Sequence, residues 1–229
     1  MCWNPIVSFA FGYIHLLTHY LVEESSLEEN EKQSYLRFLR FYLLMEIFQS
    51  LQWVAGEVYP ISSEFGLSTC SSINTLFTII AYGLIWWQPV LFAYLGNSTY
   101  CRRFAILTFI VAMVTLIAGL KQIPSYRLPN SNYGLTTCTE TGIYGHLAWK
   151  FSPVSVIMYP NFYSYITSIL LSIFEMEVPL RWTIGMGWII TLIVSLSYVG
   201  TSVDLPAFWC LLSVFVDIPI IIRVSSFTL

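Results

Sequence analysis

The sequence predicts an all-α fold, a polytopic bundle of seven transmembrane helices with six as the alternative count, and three observations carry that expectation. Hydrophobic residues make up 56% of the 229-residue chain and charged residues only 10%, against the roughly 25% charge that wets an ordinary soluble domain. The apolar residues gather into stretches near 3–22, 36–57, 72–95, 104–122, 154–174, 182–200 and 206–223. Each approaches the roughly 20 residues a helix needs to cross a hydrocarbon core. The segments between them are too short for a separate soluble domain, so residues 1–229 read as one bundle.

The 3–22 stretch is the most polar, carrying His15 and His19. It lacks the basic flank and small-residue cleavage site of a signal peptide, so it is expected to be retained as the first span. Residues 23–35, EESSLEENEKQSY, set five glutamates against one lysine and read as an acidic, solvated inner loop with a helical turn leading into span two. Span two holds Glu46, Gln49 and Gln52 in LMEIFQSLQW. Span three holds Gln88 before Pro89 in IWWQP, where proline predicts a kink. Arg102 and Arg103 precede span four. Residues 123–153 are rich in Pro, Gly, Asn, Ser and Thr, and form a connection longer than usual, an outer loop of the kind that often serves as a lid. Spans five and six are largely apolar. Span seven, the shortest, carries Asp217 in FVDIP and ends at Arg223. No internal repeat stands out, which weakens an inverted-repeat transporter.

Orientation follows from the cations. With the N-terminus outside, Lys32, Arg37, Arg40, Arg102, Arg103, Arg181 and Arg223 lie inside, and Lys121, Arg127 and Lys150 outside, seven of the 10 against three. The positive-inside rule therefore favours an integral, multi-pass protein with its N-terminus outside and its C-terminus cytoplasmic. Many aromatic residues fall near helix ends, among them Trp3, Tyr59, Tyr94, Tyr126, Trp149 and Trp182, as an interfacial belt requires. The Asn97-Ser-Thr sequon faces inside and is expected to stay unmodified. Cys70, at the start of span three, and Cys138, in the long loop, both face the oxidising side, where a disulfide persists. Cys2 is an alternative partner. Cys101 and Cys210 read as free thiols. The net charge of −3 argues against nucleic acid, because nothing neutralises a run of phosphates.

Ionisable groups in hydrocarbon cost at least about 2.5 kcal/mol on insertion scales and usually turn inward. His15 and His19 share a helical face, and Glu46, Gln49 and Gln52 recur every three residues. By helix rise, His15, Glu46 and Asp217 all lie about 15–18 Å from a helix end, near the midplane. A span-one histidine facing Glu46, with Asp217 nearby, would form a titratable core; the glutamines serve equally well as hydrogen-bonding glue between helices. No metal or other cofactor is expected. HLLTH has zinc spacing but lacks the glutamate of the HExxH motif, and His146, the remaining histidine, sits in the outer loop. That weakens a membrane hydrolase of the ceramidase kind. A last span without lysine argues against a retinal protein. The placement of Cys70 and Cys138 is like that of G-protein-coupled receptors, but AYLGNSTYCRR at the end of span three lacks their acidic-arginine pair.

The segments MCWNPIVS, LMEIFQSLQW, WWQP and CTETGIYGHLAWKF resemble those of a group of multi-span membrane proteins from large DNA viruses and unicellular eukaryotes. The likeness runs through short motifs over a minority of the chain and brings no established activity. It marks Glu46, Gln88, Cys138, His146 and Trp149 as positions to watch, and leaves the acidic 23–35 segment and the span-one histidines outside the pattern.

The residues lead first to a non-enzymatic membrane protein with a polar interior, a small-solute or proton-coupled transporter or channel. His15, His19, Glu46, Gln49, Gln52, Gln88 and Asp217 would line its route, with a lipid bilayer around it and a small solute or ion as ligand. The alternative is a receptor-like or scaffold protein that binds a ligand or partner through the 123–153 loop, with His146 and Trp149 as candidates. A membrane enzyme using His146 as acid–base comes third. The oligomeric state leaves no sequence signal.

Overall fold

The computed structural model describes residues 4–58, 70–120, 137–142, 145–153, 162–200 and 205–227. The chain is mostly helical, and its helices run antiparallel in sequence order. Helix α1 spans Pro5–Glu23 and α2 Glu29–Ala55. Helix α3 spans Ser72–Leu95 and α4 Thr99–Leu120. A two-stranded hairpin follows, β1 Cys138–Thr141 and β2 Leu147–Lys150, then α5 Phe162–Phe174. Next, α6 Val178–Leu180, a π turn Arg181–Gly185 and α7 Met186–Val199 form one rod. Helix α8 Leu205–Leu212, a 3₁₀ turn Ser213–Val216 and α9 Asp217–Ser225 close the described chain.

Helix starts follow local chemistry. Asn4 caps α1, its Oδ1 accepting from Val7 N at 2.9 Å, and Pro5 at the first helical position has no N–H to satisfy. Ser71 caps α3 through Asn74 N at 3.1 Å. Helix α2 begins at Glu29, well before the apolar stretch, with Glu29 and Glu31 in its first turn, where the helix dipole favours them. Only 24–28 remain as the connection from α1, so most of the acidic 23–35 stretch is helix rather than loop. Pro219 cannot donate to the Phe215 carbonyl and crowds it, which accounts for the 3₁₀ turn just before α9.

Four helical segments, Pro5–Glu23, Ser72–Leu95, Thr99–Leu120 and Val178–Val199, are long and apolar enough to cross a membrane. Their polarity is inverted relative to a soluble bundle. Helix α1 buries Ser8, Gly12, His15 and Thr18 and exposes Ile6, Phe9, Tyr13, Leu16, Leu17 and Leu21. Helix α4 likewise buries Ala105, Thr108, Ala112, Thr115 and Gly119 and exposes Phe104, Leu107, Ile110, Val114 and Ile117. Small and polar residues inward with large apolar residues outward is the packing rule of helices in lipid.

The apolar core is aromatic. Phe92 meets Trp188 at 5.4 Å between ring centroids, and Trp188 meets Trp209 at 4.1 Å. Tyr165 stands edge-on to both Trp86 and Trp209, a geometry the ring quadrupoles favour. At one end of the bundle the α3–α4 and α5–α6 turns pair, Asn97 N donating to the Glu175 carbonyl at 3.2 Å. The hairpin occupies the opposite end.

Candidate functional site

Three groups of polar side chains follow one another down α2. The first ties the hairpin to the bundle. Thr139 and Trp149 are directly opposite in the hairpin register, and both engage Gln52. Gln52 Nε2 donates to Thr139 Oγ1 at 2.8 Å, and Trp149 Nε1 donates to Gln52 Oε1 at 3.1 Å. Asn74 on α3 completes the joint: its Oδ1 accepts from Thr139 N at 2.8 Å and its Nδ2 donates to the Thr139 carbonyl at 2.9 Å. Thr78 shares a 2.7 Å hydroxyl contact with Thr139. The expected disulfide is present: Cys70 and Cys138 are joined, with Cα atoms 6.0 Å apart. Gly145, with φ of 75°, supplies the left-handed residue of the hairpin turn.

Asn74→Ala would leave the buried Thr139 N–H and carbonyl unpaired, at about 1–3 kcal/mol for a buried polar group stripped of its partner. We expect about 2 kcal/mol of destabilisation and faster hydrogen exchange confined to 138–150. Unchanged exchange there would show that the joint does not depend on Asn74.

The second group lies deeper. His15 Nδ1 stands 3.0 Å from both carboxylate oxygens of Asp217, with side-chain exposures of 0% and 1%. Thr18 Oγ1 donates to Asp217 Oδ2 at 3.0 Å. The carboxylate can only accept, so it fixes the imidazole with its proton on Nδ1. Asp217 opens α9, where the helix dipole suits an acid. Glu46 and Gln49 are also buried, at 1% exposure each. Helix α1 packs against Glu46 at Gly12, where a methyl would make an ordinary contact 3.5 Å from Glu46 Cβ. Among the described residues neither Glu46 oxygen, neither polar atom of the Gln49 amide, nor His15 Nε2 has a hydrogen-bond partner. Asp217 lies within Coulombic range of Glu46.

The third group seals the end away from the hairpin. Arg223 grips Glu31 with Nε to Oε1 at 3.0 Å and Nη2 to Oε2 at 3.2 Å, the bidentate form that makes such pairs strong. Tyr35 donates to Glu31 Oε1 at 3.1 Å and meets Thr183 Oγ1, in the π turn, at 3.0 Å.

Aligned with a protein of Acanthamoeba polyphaga mimivirus that carries the description uncharacterized protein, the chain is 38% identical over 239 residues, covering 100% of this chain and 97% of that one. The chain belongs to that protein's family. The relationship bears out the expected tie to a large DNA virus, without bearing on the short motifs, and it supplies no activity. No family model and no solved structure matches the chain.

The residues this mimivirus family member was expected to gather are brought together in part. His15 pairs with Asp217 and not with Glu46. The facing-helix argument considered spans one and two alone, whereas α9 also packs on α1 and brings the carboxylate to the histidine first. His19 lies outside the buried group: its Nε2 accepts from Arg40 Nε at 2.9 Å, and Glu23 stands 3.8 Å from its Nδ1. Gln52 is hydrogen-bonding glue for the hairpin. Gln88 bonds across the core, accepting from the Tyr165 hydroxyl and donating to Met45 Sδ at 3.4 Å. Trp149 and His146 are buried, at 3% exposure each. Among the described residues no three or more His, Cys, Asp or Glu side chains gather as a metal site. Of the cations expected outside, Lys150 pairs with Glu140 at 2.6 Å, while Lys121 and Arg127 lie outside the described residues, as does Cys2.

Sequence reasoning missed Asn74, Thr78 and Thr139. A lone asparagine in SINTLFTII was the available signal, since an amide in an otherwise apolar helix needs a partner. Glu31 and Tyr35 were missed because the acidic segment around them looked uniformly solvated.

Proposed function

We propose that this chain is a seven-span membrane protein, N-terminus outside and C-terminus cytoplasmic, that moves protons or a proton-coupled small solute through its interior. The observation that carries the reading is the buried carboxyl of Glu46, without a hydrogen-bond partner among the described residues, beside the His15–Asp217 pair. Ionisable groups in such positions are costly to keep and recur as proton relays in membrane pumps and transporters. Glu46 is the proton-carrying group in this reading, Gln49 its polar neighbour toward the hairpin, and His15–Asp217 the fixed hydrogen-bonded pair beside it. Seven spans are supported by the alternation of connections between the two ends of the bundle and by the outward apolar faces. The orientation is supported by the seven cations predicted for the cytoplasmic side.

Glu46→Gln keeps the volume and the hydrogen-bonding capacity, so the fold should persist while proton flux is lost. Proteoliposomes loaded with a pH-sensitive dye measure this directly, and wild-type flux in the variant would remove Glu46 from the mechanism. Tags on the two termini should show the C-terminus cut by a cytosolic protease and the N-terminus protected. Glycosylation at Asn97 would reverse the orientation. The receptor or scaffold alternative, through the 123–153 loop, has less support: its candidates Trp149 and His146 face the interior instead of presenting a surface. An enzyme using His146 has no gathered metal ligands in its favour among the described residues.

A further inference from the structure

The hairpin sits directly over the buried polar stripe of α2. Gln52, which it holds, lies about 4.5 Å along the helix from Gln49 and about 9 Å from Glu46. A hairpin with strands of 4 residues each is marginal by itself, so its place at the mouth depends on what pins it. Besides the packing of Leu147 and Trp149 in the apolar core, two kinds of restraint are present. One is the set of hydrogen bonds from Gln52, Asn74 and Thr78 to Thr139 and Trp149. The other is covalent, the Cys70–Cys138 bond, which fastens the first residue of β1 beside Ser71, the cap of α3. Cys138 is buried, and Cys70 is partly exposed.

We propose that the hairpin is a gate over the Gln49–Glu46 end of the polar column and that the Cys70–Cys138 disulfide is its latch, opened by a dithiol reductant. This rests on the transport reading and adds its regulation. The accessible sulfur belongs to Cys70, so a thiolate of the reductant attacks Cys70 Sγ. The Cys70–Cys138 bond breaks, and Cys138 leaves as a thiolate and takes up a proton. The second thiol of the reductant then closes on the mixed disulfide and releases Cys70 as a thiol. Two electrons and two protons pass to the two cysteines, and the reductant ends as its own disulfide. With the tether gone, the hydrogen bonds and the packing of Leu147 and Trp149 in the apolar core still hold the hairpin, but nothing covalent ties its first strand to α3. Local opening then exposes Gln49 and Glu46 to water.

The test reads access and not flux, so it can fail without touching the role of Glu46, and loss of flux would leave it standing. The chain carrying Gln49→Cys, with and without Cys70→Ser and Cys138→Ser, is placed in lipid nanodiscs and exposed to a cationic methanethiosulfonate. Labelling is followed site by site by peptide mass. Removing the bond should speed labelling at position 49 about tenfold or more, while Cys210, buried on α8, stays as slow as before. Equal rates at position 49 with and without the bond would overturn the latch. So would equal acceleration at Cys210, which would make the bond a staple of the whole fold.

Discussion

Asp217→Ala should destabilise the bundle by about 3 kcal/mol, the largest loss expected from any single side chain described above. The substitution removes the acceptor of His15 and one of two acceptors of Thr18, whose hydroxyl keeps the Ile14 carbonyl, and leaves a buried imidazole with no partner on either nitrogen among the described residues. Interhelical hydrogen bonds in membrane proteins average only about 0.6 kcal/mol, because separated helices find other partners in the bilayer. The larger figure applies here because both groups are ionisable and almost wholly buried, where breaking a pair costs about 3–5 kcal/mol. Asp217→Asn, which still offers an acceptor oxygen to His15, should lose about half as much. Unfolding in mixed micelles, read as a double-mutant cycle with His15→Ala, isolates the pair. A coupling at or below the membrane average would reduce it to ordinary packing.

Gly119→Ala should cost about 2–3 kcal/mol, a large effect for one methyl. The glycine lies in the last turn of α4, against the chain leaving β2. A methyl there would collide with the Ser152 carbonyl oxygen and come within 2.9 Å of its carbon. The obstacle is backbone, so no rotamer change relieves it. The exit of the hairpin has to move away from α4, and the buried Thr137–Ser152 hydroxyl contact of 2.7 Å goes with it. Thermal unfolding should fall while α1 and α9 keep their hydrogen-exchange protection. A wild-type melting temperature would mean that the two segments approach less closely than described.

The helices were legible where composition alone decides. The 72–95 stretch coincides with α3, and both ends of α1 and the C-terminal end of α7 fall within two residues of expectation. Hydropathy reports the apolar slab, however, and not the hydrogen-bonded rod. It therefore missed the first turns of α2, whose Glu, Lys and Gln residues are good helix formers outside any apolar layer. Helix α4 likewise starts at Thr99, ahead of the 104 read from hydropathy. The described part of α5 begins at Phe162, and residues 154–161, expected to start that span, lie outside the described residues.

The candidate site was legible as a set of residues but not as pairs. Glu46, Asp217 and His15 announced themselves because charge in an apolar run is conspicuous. Which acid meets the histidine depends on how the last helix leans on the first, and no local pattern encodes that. The hairpin was hidden for another reason: its strands hold only 4 residues each inside a turn-rich segment. Gly142 and Gly145 between the two runs were the overlooked sign.

His15 and Asp217 are separated by 202 positions, yet they form the most buried ionisable contact between described helices. A chain that enters the bilayer from its N-terminus must hold α1 there with a polar flank of Ser8, His15 and Thr18 while nearly everything else is made. Helix α2 arrives next and shields part of that flank with its own polar stripe. The carboxylate that satisfies the imidazole comes only with α9. In the membrane reading the polar flank of α1 is therefore completed last, and a chain halted before Asp217 leaves His15 without its acceptor.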